Sequence, residues 1–251
     1  MKKKLEKLHS FLNENFKTKS EESFKSFLSR FSDELITLSQ DSEIDSVIDW
    51  LNSRKEKLEA SVSRIPLKDV SDEWYLSNES GDYEHVTNGF FKIVGVRTET
   101  SIRESGKGWD QPMIDQGTES SVAGLIMKRF DDIPYYLIEA KFEPGNYDKI
   151  LLSPTLQVTY DNLNKLHGGR KPAFAEYFNG EMQDVKVLHE KWYPEDGGRF
   201  YLKRVKNMII ETTNEIDITD DFKWINITQL RTILTLDNIA NQHLRSLMSI
   251  L

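Results

Sequence analysis

The segment from Gly108 to Asn162 concentrates side chains that bind and move protons, with no cysteine, no pair of histidines and no glycine-rich phosphate loop among them. Within it, Tyr136, Ile138, Ala140 and Phe142 alternate with Glu139, Lys141 and Glu143, the period of two expected of a half-buried strand. One face packs, and the other presents two carboxylates flanking an ammonium. Glu143 closes the run just before Pro144-Gly145-Asn146, so the pattern places it where a strand ends and a loop opens. That position suits an acid or a base, and Lys141 on the same face would lower its pKa or polarise a carbonyl. The same residues equally suit a surface ion pair.

The motif WDQPMIDQ supplies Trp109, Gln111, Asp115 and Gln116, of which Asp115 is a further acid-base candidate and Gln116 a hydroxyl contact. A hydrogen-bonded turn after Pro112 is the competing reading of that aspartate. Tyr160 could donate or shuttle a proton, or pack half-buried on its element. Gln157 and Asn162 are candidate polar contacts beside it, as is Asn146 in the turn. Farther on, Arg199, Lys203, Arg204 and Lys206 place four cations in eight residues with no acidic residue between them. Arginine forks grip phosphate oxygens with paired hydrogen bonds. The alternative for this run is an edge strand studded with basic residues.

The elements that must hold these groups read as a mixture without regular βαβ alternation, which predicts an α+β protein. Residues 1–60 are patterned as a helical arm, with apolar positions at Leu5, Leu8, Leu12 and Phe16, at Phe24, Phe27, Phe31 and Leu35, and at Ile44, Val47, Ile48 and Leu51. Residues 61–251 form the main module. There, NESGDYEH predicts a hairpin tip, Phe90–Val96 a strand, Val122–Phe130 and Tyr135–Glu143 two strands joined at Asp131-Asp132-Ile133-Pro134, and Asn207–Thr213 another strand. Thr155–Leu166 is predicted helical, with Ser153 as N-cap and Pro154 at its first position, ended by Gly168-Gly169. Thr228–Leu251 is predicted helical as well.

Bulk properties narrow the function classes. Zero cysteines exclude disulfides, thiolate metal sites and cysteine nucleophiles. A formal net charge of -8 argues against a general nucleic-acid binder, which needs a broad basic surface. No stretch approaches the ~20 consecutive apolar residues of a membrane span. The basic start, MKKKLEKLHSFL, lacks the continuous apolar block of a signal peptide, so the chain is expected to be soluble and cytoplasmic.

An ordered series of blocks carries a resemblance: RIPLKDVSDEWYLSNESG, NGFFKIVGVR, GWDQPMIDQ, LIEAKFEPGNYDKILLSPTLQVTYDN and GGRFYLKRVKNMIIE. Together, from about Ser46 to Leu251, they resemble the NDP-hexose 2,3-dehydratase family of deoxysugar biosynthesis. The resemblance implies a Nudix-like mixed sheet flanked by helices, and a module that the family typically carries twice where this chain holds one. It implies a nucleotide-linked 4-keto-6-deoxyhexose as substrate, in the dTDP-linked form, losing water across carbons 2 and 3. No redox cofactor is needed, because the enol product tautomerises to a diketone. It also implies roles: Glu143, Lys141, Asp115 and Tyr160 for acid-base work, Trp109 for the base or sugar, Gln111, Gln116, Asn146, Gln157 and Asn162 for hydroxyls, and Arg199, Lys203 and Arg204 for the diphosphate. A Nudix hydrolase would instead carry several glutamates for magnesium on the helix after Gly145, and TLQVTYDNLNKL offers only Asp161, so a metal site is not expected. The alternative function is a non-catalytic module that binds nucleotide sugars or scaffolds. A single module with an apolar arm is expected to form a homodimer.

Overall fold

The computed structural model describes residues 43–87, 89–100, 108–159 and 171–251. The apolar repeat at Ile44, Val47, Ile48 and Leu51 forms helix α1 (Asp45–Glu56), and Val47 and Leu51 are buried to 1% exposure. Burying such side chains contributes about 1.5–3 kcal/mol each. The rest of the predicted arm, residues 1–42, lies outside the described residues.

Two sheets follow. The first is an antiparallel meander of β1 (Trp74–Leu76), β2 (Tyr83–His85), β3 (Lys92–Thr98) and β4 (Trp109–Asp115). Its β1–β2 connection is the NESGD hairpin the sequence predicts, with Gly81 at φ +77, a conformation glycine adopts without steric penalty. Trp74 gathers Tyr83, His85, Phe90 and Phe91 around its ring, giving this small sheet an aromatic centre.

The second sheet has seven strands. Its main path runs β11 (Phe222–Asn226), β6 (Ile133–Phe142), β5 (Glu119–Phe130), β10 (Arg204–Thr212), β9 (Val185–Pro194), with β7 (Ile150–Pro154) on β6 and β8 (Leu156–Thr159) on β5. Only β5 and β10 are parallel, so the sheet is mixed and the α+β expectation holds. The β5–β6 hairpin turns through Asp131 and Asp132, both at positive φ, as a two-residue hairpin requires.

The predicted helix over Thr155–Leu166 is not formed where it is described. Ser153 and Pro154 end β7, and Leu156–Thr159 is a strand antiparallel to β5; residues 160–166 lie outside the described residues. The β-branched Thr155, Val158 and Thr159 favour the extended form, and Leu156 is buried in pairing. Here β5 and β6 diverge. They pair only over Met127–Phe130 and Ile133–Tyr136, and the strand β7–β8 enters the gap. Thr155 bridges the fork: its Oγ1 accepts from the Ile126 N–H at 3.0 Å and donates to the Leu137 carbonyl.

Each face of this sheet is covered. On one side α1, α2 (Ile227–Ile233) and α3 (Gln242–Met248) pack over Ala123, Leu125, Ile138, Leu152 and Ile209. On the other, the turn at Ala175–Tyr177 covers Val122, Ile126, Leu137, Met208 and Ile210. Gly124 permits this close approach, since a Cβ there would lie 2.4 Å from the Phe178 ring.

The predicted C-terminal helix is also divided. Asn226 caps α2 with Gln229 in a reciprocal capping box, and Asn241 caps α3 by accepting from the Leu244 N–H. Between them Asn238 sits at φ +51, and the chain runs beside β7, with Leu152 N donating to the Ile239 carbonyl and Asn241 N to the Leu152 carbonyl. Two capping asparagines and the β7 backbone outcompete continuous helix.

Candidate active site

That interruption builds a cavity of about 620 Å³. Leu234, Leu236 and the segment Asn238–Gln242 form one wall, the ends of β4 and β6 another, and the β9–β10 connection a third. Its size and its mixed apolar and polar lining suit a small organic ligand.

Glu143, the residue after β6, lines this cavity with Gln116, Asn146 and Gln157. The predicted strand-loop transition at Pro144-Gly145 is therefore real, but it leads into β7 rather than toward a helix: Glu143 N donates to the Lys149 carbonyl and Asn146 N to the Glu143 carbonyl. Gln157 Nε2 donates to Glu143 Oε1 at 2.8 Å, and Asn146 Nδ2 lies 3.4 Å from Oε2. Gln157 is held in turn, its Oε1 accepting from Asn241 Nδ2 at 2.7 Å and from Ser153 Oγ at 3.2 Å. Ser153 at the end of β7 and Gln157 in β8 flank Thr155, so the fork that Thr155 closes also sets the spacing of the side chains that hold the carboxylate.

Lys203 is the other predicted residue in the cavity. It joins a buried group: its Nζ lies 3.7 Å from Glu195 Oε2 and 4.4 Å from the centre of the Phe200 ring. Glu195 Oε1 accepts from Gln242 Nε2 at 2.6 Å, and His243 Nε2 stands 3.9 Å from Oε2. Burial holds the Lys203 ammonium below the usual lysine value, with Glu195 pulling the other way. Burial also depresses His243, opposed by Glu195 and reinforced by Lys203.

The remaining predicted residues stand elsewhere. Lys141 pairs with Glu139 at 3.1 Å instead of facing Glu143. Burial raises the Glu139 carboxyl above its usual range, against the pull of Lys141. Asp115 forms the hydrogen-bonded turn that competed with its acid-base role, its Oδ1 accepting from the N–H of Gly117. Trp109 donates to Gln111, and Gln111 to the Gly198 carbonyl, so both brace the β9–β10 connection instead of lining the cavity. That connection also pairs with β4 through Ile114, Arg199 and Tyr201. Arg199 pairs with Asp196 and Arg204 with Glu119, both at exposed positions. Tyr160 and Asn162 lie outside the described residues.

Glu195, Asn241, Gln242, His243 and Arg245 also line the cavity and were not singled out by sequence reasoning. Four of the five belong to what reads as a continuous C-terminal amphipathic helix. The signal that could have found them is the pair of asparagines at 238 and 241, which mark a helix break and a new N-cap.

The family model for NDP-hexose 2,3-dehydratases matches residues 44–251. The chain belongs to this family of sugar nucleotide dehydratases. Relatives include the dTDP-4-dehydro-6-deoxy-alpha-D-glucopyranose 2,3-dehydratases of Streptomyces violaceoruber, 33% identical over 80% of this chain, and of Amycolatopsis orientalis, 34% identical over 80%. Those matches cover 44% and 43% of the two relatives, so the chain spans less than half their length. Among solved structures, an ADP compounds hydrolase matches at 11% identity and TM-score 0.40, over 65% of this chain and 85% of that one. A C. elegans Ap4A hydrolase matches at 12% identity and TM-score 0.32, over 53% and 97%. Both likenesses are partial and concern the fold.

Proposed function

We propose that the chain removes water across carbons 2 and 3 of a nucleotide-linked 4-keto-6-deoxyhexose, the dTDP-linked sugar being the first choice because the relatives are named for it. The observation that carries this reading, beside family membership, is the cavity in which the Glu143 carboxylate is held by Gln157 and Asn146 on one wall and Lys203 stands on another. The ketone at carbon 4 acidifies the proton on carbon 3, so the reaction needs a base there, positive charge for the developing enolate and an acid for the departing hydroxyl. Glu143 is the base in this reading, with Gln116, Asn146 and Gln157 as hydroxyl contacts. Arg245, an exposed cation on the cavity rim, is placed to meet a diphosphate better than Arg199 or Arg204, whose guanidinium groups are paired outside it.

The test is incubation with dTDP-4-keto-6-deoxyglucose followed by mass spectrometry. Loss of one water is expected, and it should persist after exhaustive chelation, since among the described residues no three metal-ligating side chains converge. Loss of turnover on chelation, with recovery on adding magnesium, would overturn the metal-independent mechanism. A second reading, a nucleotide-sugar-binding module without turnover, is favoured by the chain's covering less than half of its relatives. Tight dTDP-sugar binding without any loss of water would select it.

A further inference from the structure

The dehydratase reading leaves open which group protonates the departing hydroxyl, and a cluster in the same cavity fits that task. Glu195 follows β9 and Lys203 precedes β10, and their backbones pair as Glu195 N donates to the Lys203 carbonyl. Both side chains are nearly sealed from solvent, 6% and 8% exposed, although they carry formal charge and line a cavity. Isolated buried charges are strongly disfavoured, so such a pair persists only where partners hold it. Here Gln242 donates to the second Glu195 oxygen, and the Phe200 ring lies under the ammonium. Glu195 from the end of β9 pairs with Lys203, and the other charged or titratable groups lining the same cavity are His243 and Arg245 from α3 and Glu143 from the end of β6. Burial and Lys203 depress His243, against the pull of Glu195, and Glu195 likewise opposes the burial that lowers Lys203.

We propose that Lys203, positioned by Glu195, is the general acid of the elimination: its ammonium donates a proton to the carbon 2 hydroxyl as that group departs. The role rests on the dehydratase reading. Glu143 takes the proton from carbon 3, and the electrons of that C–H bond pass into the enolate of the carbon 4 ketone. Collapse of the enolate forms the double bond between carbons 2 and 3 and breaks the C2–O bond, and the Lys203 proton completes the water. The enzyme then holds a protonated Glu143 and a neutral Lys203. Tautomerisation restores both, as Glu143 returns its proton to carbon 2 and the enol hydroxyl at carbon 3 gives its proton to Lys203. No oxidant or reductant takes part. An ammonium whose proton burial has loosened is a better donor than an exposed lysine, and arginine at the same place would keep the charge without giving up a proton.

The test follows the full chain with dTDP-4-keto-6-deoxyglucose in deuterated water, reading loss of the carbon 3 proton by NMR and loss of water by mass spectrometry. Lys203→Arg should exchange carbon 3 within a few-fold of the parent rate while water loss falls by about a hundredfold or more. Lys203→Ala should regain part of its water loss when ethylammonium is added. Glu195→Gln should move the alkaline limb of kcat to lower pH, because Glu195 raises the Lys203 value. Water loss by Lys203→Arg at the parent rate overturns the proposal. So does loss of exchange, elimination and dTDP-sugar binding together in both lysine variants, which would mark a purely structural or binding role. If the parent chain neither exchanges carbon 3 nor eliminates water, the dehydratase reading falls and the role of Lys203 with it. An active parent with an unimpaired Lys203→Arg removes the role alone.

Discussion

At the residue scale, the site depends on how a few side chains are held. Glu143 is fixed by an amide on each side, so Glu143→Gln preserves shape and one acceptor while removing the ability to take a proton. It should fold and bind dTDP-sugar as the parent does, with turnover lower by about a hundredfold or more; equal turnover would return Glu143 to a purely structural part. The basic run separates along the same lines. Lys203 is in the cavity, while Arg199 and Arg204 spend their forks on Asp196 and Glu119. Arg245→Ala should therefore weaken binding of a dTDP-sugar several-fold, and Arg199→Ala and Arg204→Ala should leave it nearly unchanged. Calorimetric titration checks all three, and a larger loss from the Arg199 variant than from the Arg245 variant would relocate the diphosphate.

At the element scale, the site is a consequence of two interruptions. The fork between β5 and β6 admits β7–β8, and the break between α2 and α3 lets Asn241 reach Gln157 and Ser153. Thr155 secures the fork because its one hydroxyl serves both a donor and an acceptor that the parting strands leave unpaired. Thr155→Val keeps the shape and removes both bonds, leaving two buried backbone groups unsatisfied. The expected loss is on the order of 2 kcal/mol or more, and the thermal midpoint should fall by roughly 5 °C. A midpoint within a degree of the parent would show that the fork closes without the hydroxyl.

At the scale of the whole molecule, the relatives are more than twice as long as the segment they share with this chain. Pairing of two copies would bring two such modules together, and we propose that the apolar sequence repeats through Phe24, Phe27, Leu28 and Phe31 would serve such pairing. We expect a homodimer. Light scattering of the full chain at micromolar concentration checks it, and a monomer there defeats it. Removal of residues 1–40 tests the arm: a truncated chain that stays dimeric shows that the contact lies elsewhere.

Alternation alone determined much of this protein. The two-residue period of Tyr136–Glu143 marks β6 and the repeat at Ile44–Leu51 marks α1, while Val122–Phe130 is a short apolar run, buried on both faces, that its length and the turn at Asp131-Asp132 set apart as β5. The end of β6 likewise marked Glu143 at a strand-loop junction. Local pattern could not decide between strand and helix over Thr155–Thr159, since Ser153-Pro154 reads as a helix start and only pairing with β5 makes it extended. Over Ile227–Met248 a continuous apolar stripe runs across a break that only the asparagines at 238 and 241 mark, and β7 stabilises that break through its own backbone bonds. Glu195, Lys203 and His243 converge from the β9–β10 connection and α3, and Lys141 turns to Glu139 instead of Glu143. Partners that lie far apart along the chain are chosen by packing, and burial then sets their proton affinities, so the tertiary structure alone decided which of the many charged residues share one cavity.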